Sequence, residues 1–188
     1  QHIVPFVIGV NSWDASYFVL GQPPVETYIK KMKEDSKIVE KLYSTFQEKC
    51  VLSAEIMFDG WYLGATKLLA NSANKYAPSY VYYFNYLTPN IRASHIGAAH
   101  TFELPYVFGS LNAVASTPKS DLSTNRCVYI NQALVEMKQG ATWSKYWFPI
   151  TAPDNKEDQS ISKQLTKSWT SFAKTGNPNY GEKNNWPR

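Results

Sequence analysis

Two short apolar runs, separated by about seventy residues of helical periodicity, constrain this chain more than any other feature of it. Residues 3–10, Ile-Val-Pro-Phe-Val-Ile-Gly-Val, are apolar and β-branched without alternation, the pattern of a strand buried on both faces. Tyr80 to Leu87 is a second such run, rich in tyrosine. Two strands can lie parallel only if a long crossover returns the chain to its starting side, and that crossover is usually helical. The expected fold class is therefore α/β, a mostly parallel sheet with flanking helices.

The helical signal is repeated three times. Tyr28, Met32, Val39, Leu42, Tyr43 and Phe46 recur at helical spacing among lysines and glutamates. A second stretch runs from about Leu52 to Tyr76, with Ile56, Trp61, Leu63, Leu68 and Leu69 as its candidate buried residues. Gly60 and Gly64 interrupt it and Pro78 closes it. In the third, Ser160 is the expected cap. Ile161, Leu165, Trp169, Phe172 and Ala173 form one apolar face, and Gly176 with Pro178 stops the helix.

In parallel α/β sheets the loops at the carboxyl ends of strands build the functional site. The loop after the first run carries Asp14, flanked by Ser12 and Ser16; either serine could bond the acid or serve the turn. The loop after the second run, residues 94–109, carries His95, His100 and Glu103. A histidine on a loop fixed by a buried strand is well placed for proton transfer. His95 is expected to be structural or exposed. Tyr106, Phe108 and the tyrosines of 80–86 are expected in the core.

These segments also carry a resemblance. His-Thr-Phe-Glu-Leu-Pro-Tyr-Val-Phe-Gly, residues 100–109, resembles the His-x-x-Glu-x-x-Phe/Tyr-x-Phe-Gly segment of type-B carboxylesterases, an α/β-hydrolase family that includes cholinesterases and bacterial para-nitrobenzyl esterases. Gly9-Val-Asn-Ser-Trp-Asp-Ala-Ser-Tyr-Phe18 is similar to the family's Gly-Val-Asn-x-x-Glu-Gly-x-Phe-Phe, with aspartate for glutamate and alanine for glycine. Ser168-Trp-Thr-Ser-Phe-Ala-Lys-Thr-Gly-Asn-Pro-Asn179 resembles its Trp-x-x-Phe-Ala-x-Thr-Gly-Asn-Pro-Asn signature, and Trp186-Pro187 fits just beyond.

The resemblance implies His100 as catalytic base, Asp14 as the acid that orients it, and Glu103 as a carboxylate supporting the site. The order acid, then histidine, is the order of α/β-hydrolases. It implies no cofactor and no metal, and a small-molecule ester as substrate. Gly-x-Ser-x-Gly occurs nowhere, nor does a glycine-rich oxyanion segment. In the family both precede the acid strand. The chain thus resembles the C-terminal portion of one hydrolase domain over residues 1–188, with the N-terminal portion of the same protein as its expected partner. Alone it is expected to be inactive. The segment at about 110–155 is longer than the family's usual and reads as an insertion: a pocket cover, a partner surface or a plain surface excursion. The resemblance leans toward a secreted or periplasmic setting.

The other function class that fits is a cholinesterase-like binding or adhesion protein, which keeps the fold without hydrolysis. A stand-alone structural domain is weakened by the unfinished sheet. Nucleic-acid binding is not expected despite a formal charge of +4, because Lys30-Lys31-Met32-Lys33 runs straight into Glu34-Asp35 as one solvated face. No apolar run is long enough to span a membrane as a helix. Cys50 and Cys127 allow one disulfide or two buried thiols, and their spacing matches no metal motif.

Overall fold

The structure is a computed structural model that describes residues 3–17, 29–44, 52, 55–92, 95, 97–113, 151–181 and 186. Its centre is a parallel pair of strands, β1 (Phe6–Asn11) and β2 (Ser79–Phe84). They run in register from Phe6 opposite Ser79 to Asn11 opposite Phe84. The helical crossover and the parallel pairing agree with the sequence expectation, and the architecture is α/β.

Burial of β1 is graded. Residues 3–5 are exposed, Phe6 to Gly9 are half-buried, and only Val10 and Asn11 are buried. The expectation of a strand buried on both faces holds at the carboxyl end alone, where the loops expected to carry the site begin. Among the described residues β1 pairs on one side only, which leaves its amino-terminal half open.

Glycine at position 9 is a packing requirement. A Cβ there would stand 2.2 Å from the ring of Tyr82, so the ring can lie across β1 only because the side chain is missing. The tyrosine face of β2 is covered by α4 (Lys156–Thr175), the longest helix among the described residues. Tyr80 meets Phe172 edge-on at 6.2 Å and Tyr82 meets Trp169 at 5.1 Å. On the opposite face Phe58 packs against Tyr83 at 6.1 Å. Strand alternation thus divides the tyrosines. Tyr80 is buried, Tyr82 and Tyr86 are half-buried, and Tyr83 is exposed, so the expectation of a core role holds for part of the run.

The crossover contains α1 (Ser36–Leu42), a π-helical turn (Phe58–Leu63) and α2 (Gly64–Ala73). Helix α1 buries nothing, and Ile38 and Leu42 are exposed. Of the expected apolar stripe over residues 28–46, Met32, Val39 and Tyr43 are half-buried and Leu42 is exposed, while Tyr28 and Phe46 lie outside the described residues. In the second stretch Ile56 is buried as expected and Leu63 is half-buried, but Trp61, Leu68 and Leu69 are exposed. The reason is the π turn. Its wider winding adds one residue to the helix and rotates every later side chain relative to a 3.6-residue reading. The inward positions become Phe58, Tyr62, Thr66 and Ala70, four apart.

Helix α4 starts earlier than expected. Its cap is Asn155, whose side-chain oxygen accepts from the N–H of Glu157 (2.8 Å) and Asp158 (3.3 Å), and Ser160 lies inside the helix. Gly176 ends it at φ 72°. The buried positions of α4 are Asp158, Ser162 and Ser168. Ile161, Leu165, Trp169 and Phe172 are half-buried, and Ala173 is exposed. Small hydroxyl residues line the contact because α4 caps α3 (Leu104–Val107). The Ser162 and Thr166 hydroxyls each donate to the Tyr106 carbonyl at 3.1 Å. Thr166 also donates to Val107 O at 3.0 Å, so carbonyls that a four-residue helix leaves unpaired are satisfied.

Asp158 is wholly buried. It accepts from the Tyr86 hydroxyl (2.5 Å), the Tyr106 hydroxyl (3.0 Å) and the Ala152 N–H (2.8 Å), and so joins α4 to the end of β2 and to α3. Residues 114–150, which hold Cys127 and most of the expected insertion, lie outside the described residues, as does Cys50. At the borders of that segment the Thr151 hydroxyl donates to Leu111 O at 2.8 Å, so the chain leaves and returns at one place.

Candidate active site

The loops that follow β1 and β2 are laced together by main-chain contacts. Ser12 N–H still bonds the strand partner, Phe84 O, at 2.8 Å. Trp13 then switches to the histidine loop: its N–H donates to Ala98 O at 2.9 Å, and Trp13 forms a parallel bridge with Ala99. The Ala98 N–H donates to Ser12 Oγ at 2.9 Å. Ser12 therefore serves the loop junction rather than the acid, and the Ser16 side chain lies outside the described residues. The approach is close enough that a Cβ on Gly97 would stand 2.6 Å from Ser12 Oγ.

Asp14 opens a 3₁₀ turn (Asp14–Tyr17) and is buried. One carboxylate oxygen, Oδ2, accepts from the Asn11 N–H at 2.7 Å, and the other, Oδ1, lies 2.7 Å from His100 Nδ1. The two sequence-expected residues thus meet across 86 positions of chain. The aspartate side chain is 11% exposed and the imidazole 55%, so the carboxylate is held inside while the ring edge reaches the surface. The Asp14 hydrogen bond holds His100 above its usual imidazole pKa. Partial burial opposes that effect, and the charges of Asp14 and Glu103 add to it.

The backbone around His100 is unusual. Phe102 N–H closes a turn onto Ala99 O at 3.1 Å, and within that turn Thr101 has φ 73°. A β-branched residue in the left-handed region is strained by about 1–3 kcal/mol; glycine or asparagine is the ordinary occupant. The strain sits one residue beyond the imidazole.

Glu103 is half-buried and accepts a hydrogen bond from Asn11 Nδ2. His95 is 1% exposed, beside the Phe102 ring, and burial pushes it down to about 4 against an opposing hydrogen bond that its ring donates to the Ile91 carbonyl. Of the residues expected in the core, Tyr106 is buried, but Phe108 is 73% exposed. Helix α3 explains this: Leu104 and Phe108 are four apart and share its outer face, while Pro105, Tyr106 and Val107 turn inward.

Sequence reasoning passed over Asn11 and Thr101. Asn11 reads as the polar end of a strand, and no one-dimensional pattern marks a left-handed threonine. No helix among the described residues is long and apolar enough to cross a membrane, and no cluster of three or more His, Cys, Asp or Glu among them could hold a metal ion.

No family model matches the chain. It is 25% identical over 137 residues to the acylcarnitine hydrolase of Rattus norvegicus, covering 71% of this chain and 18% of that protein. It is 24% identical over 150 residues to the para-nitrobenzyl esterase of Bacillus subtilis (strain 168), covering 80% of this chain and 24% of that protein. The chain thus spans about a fifth to a quarter of the length of these relatives. A solved structure of a PNB esterase superposes with a TM-score of 0.59 at 22% identity, over 97% of this chain and 32% of that one. The chain is therefore similar in sequence to two proteins named as a hydrolase and an esterase, and it shares the α/β fold of a solved esterase.

Proposed function

We propose that this chain supplies the acid and the base of a serine carboxylesterase, with the nucleophilic serine and the oxyanion hole contributed by the N-terminal portion of the same protein. The observation that carries the proposal is the 2.7 Å contact between Asp14 Oδ1 and His100 Nδ1, with the second carboxylate oxygen anchored on a backbone N–H.

In the reaction His100 takes the proton of the serine hydroxyl through Nε2 as that oxygen attacks the ester carbonyl. It then returns the proton to the departing alcohol, and the cycle repeats with water to release the acid. The tautomer needed carries hydrogen on Nδ1 and an open lone pair on Nε2. Asp14 selects it, because an ionised carboxylate can only accept. The same carboxylate stabilises the imidazolium formed in each half-reaction. The Asn11 N–H leaves Asp14 one orientation, so ring and acid stay aligned through the cycle. Small carboxylic esters are the substrate class, and no cofactor enters the chemistry.

The test uses the whole natural protein. A fluorophosphonate probe labels only a serine activated by a neighbouring base. Labelling is expected in the wild type and should fall at least a thousandfold in rate in His100→Ala. A whole protein that binds partners but never labels would overturn the esterase reading in favour of the non-catalytic binding protein.

A further inference from the structure

Three hydrogen bonds donated by Asn11 converge on the acid–base pair. Its N–H holds Asp14 Oδ2 at 2.7 Å. Its side-chain Nδ2 donates to Ala99 O, the carbonyl of the peptide preceding His100, at 2.8 Å, and also to the Glu103 carboxylate. A peptide carbonyl can only accept, so the orientation of the amide is fixed. The residue is 1% exposed, and its Oδ1 is buried with no hydrogen-bond partner among the described residues. An unmet buried acceptor destabilises the fold. Asparagine is a poor choice for stability here, and it is the shortest side chain that places two donors on one nitrogen.

We infer that Asn11 is a positioning residue for the proposed base: its amide ties down Glu103 and the peptide leading into His100, so that the imidazole meets a single carboxylate, Asp14. Glu103 lies three residues past His100, near enough for its charge to act on the ring. Left unheld, it is a second acceptor for Nδ1–H and a second negative charge beside the imidazolium. Either effect holds the proton on the ring and leaves less of it as the free base near neutral pH. Among the described residues the Tyr62 and Tyr82 phenols also feel the charges of this cluster. Burial, together with the Asp14 charge, raises Tyr62; burial, then Glu103 and Asp14, raises Tyr82. Both therefore stay neutral as the imidazole titrates. Among these groups Glu103 is the carboxylate besides Asp14 whose charge reaches the ring.

This inference rests on the proposed role of His100, but its test does not require turnover. In the whole protein, Asn11→Leu keeps side-chain size and removes both donors. NMR titration of the His100 ring should show its midpoint rising by about one pH unit, and the acid limb of kcat/KM, where activity is present, should rise with it. Asn11→Ser, smaller and with one donor left, should move the midpoint the same way by less. This keeps the test available if the leucine variant does not fold. In the Glu103→Gln background neither substitution should raise the midpoint, because the competing charge is gone. A folded Asn11 variant whose His100 titration is unchanged overturns the inference, as does a rise that survives Glu103→Gln. A merely structural Asn11 would lower the melting temperature and leave the titration in place. If the protein proves inactive toward esters, the proposed function fails while the ring titration still decides the role of Asn11.

Discussion

Replacing Asp14 by asparagine is the sharpest test of the acid–base geometry, because the two carboxylate oxygens have different partners. Oδ2 faces a donor, the Asn11 N–H, and Oδ1 faces His100 Nδ1. In Asp14→Asn the acceptor oxygen has to stay on the Asn11 N–H, since an amide NH₂ cannot face another N–H. The NH₂ is then turned toward His100 and must donate to Nδ1. That forces the ring hydrogen onto Nε2, the nitrogen that the proposed mechanism needs free to accept a serine proton. The variant should fold normally, because every hydrogen bond keeps a partner, and yet start each cycle in the wrong tautomer.

Two effects set the size of the loss. A carboxylate and an imidazolium about 4 Å apart attract by about 4 kcal/mol at an effective dielectric of 20. With the ring 55% exposed, water screens this to roughly 1–2 kcal/mol, about one decade of rate. The tautomer error supplies most of the remainder, and a total fall in kcat of about 10³–10⁴ is expected. The His100 midpoint, held up chiefly by the Asp14 hydrogen bond, should move down. The assays are ester hydrolysis by the whole protein across pH and NMR titration of the ring. A folded variant within tenfold of wild-type kcat, or an unmoved His100 titration, refutes the reasoning.

Three further outcomes follow from packing and burial. His95 is held near 4 against about 6.5 in the unfolded chain, so the unfolded state binds more protons between those values. Stability should therefore fall by on the order of 3 kcal/mol as pH drops through that window, and His95→Asn should flatten the slope in denaturant titrations. Gly9→Ala should destabilise by at least about 1–3 kcal/mol, because the new methyl group meets the Tyr82 ring at 2.2 Å; a thermal melt checks it. Asn155→Ala removes the cap of α4 and should cost about 1 kcal/mol by the same measurement, whereas Ser160→Ala should cost less.

The parts of this fold that are legible in the sequence are those governed by a single periodicity. Two apolar runs, a long helical interval and the stop at Gly176 lead to a parallel pair with α4 across its tyrosine face. Legibility ends where the winding changes or where polar groups do the packing. The π turn at Phe58–Leu63 shifts the inward face of α2, so Leu68 and Leu69 point out while Thr66 and Ala70 point in. The contact between α3 and α4 is built from Ser162 and Thr166 hydroxyls on unpaired carbonyls, which a search for apolar faces passes over. Asp158 reads as one more charge in a first helical turn, yet it is wholly buried under two tyrosine hydroxyls.

Positions 14 and 100, and the contact expected between them, are legible in the motifs, but how closely the two loops must approach to make that contact is not. Aspartate is one methylene shorter than the glutamate in the motif that its loop resembles, so an Asp14 carboxylate needs a shorter span between the loops. The structure provides that span through consecutive residues of one loop. Ser12 Oγ takes the Ala98 N–H, Trp13 N–H takes Ala98 O, and Asn11 Nδ2 takes Ala99 O, all within two residues of His100. Gly97 admits the approach by lacking a side chain. Each of these contacts draws the histidine loop toward β1, and the left-handed Thr101 turns the chain away once His100 is placed. The short acid and the tight loop junction are therefore one feature. Asp14→Glu has to push the carboxylate past the 2.7 Å spacing, so lengthening the acid should lower kcat rather than raise it.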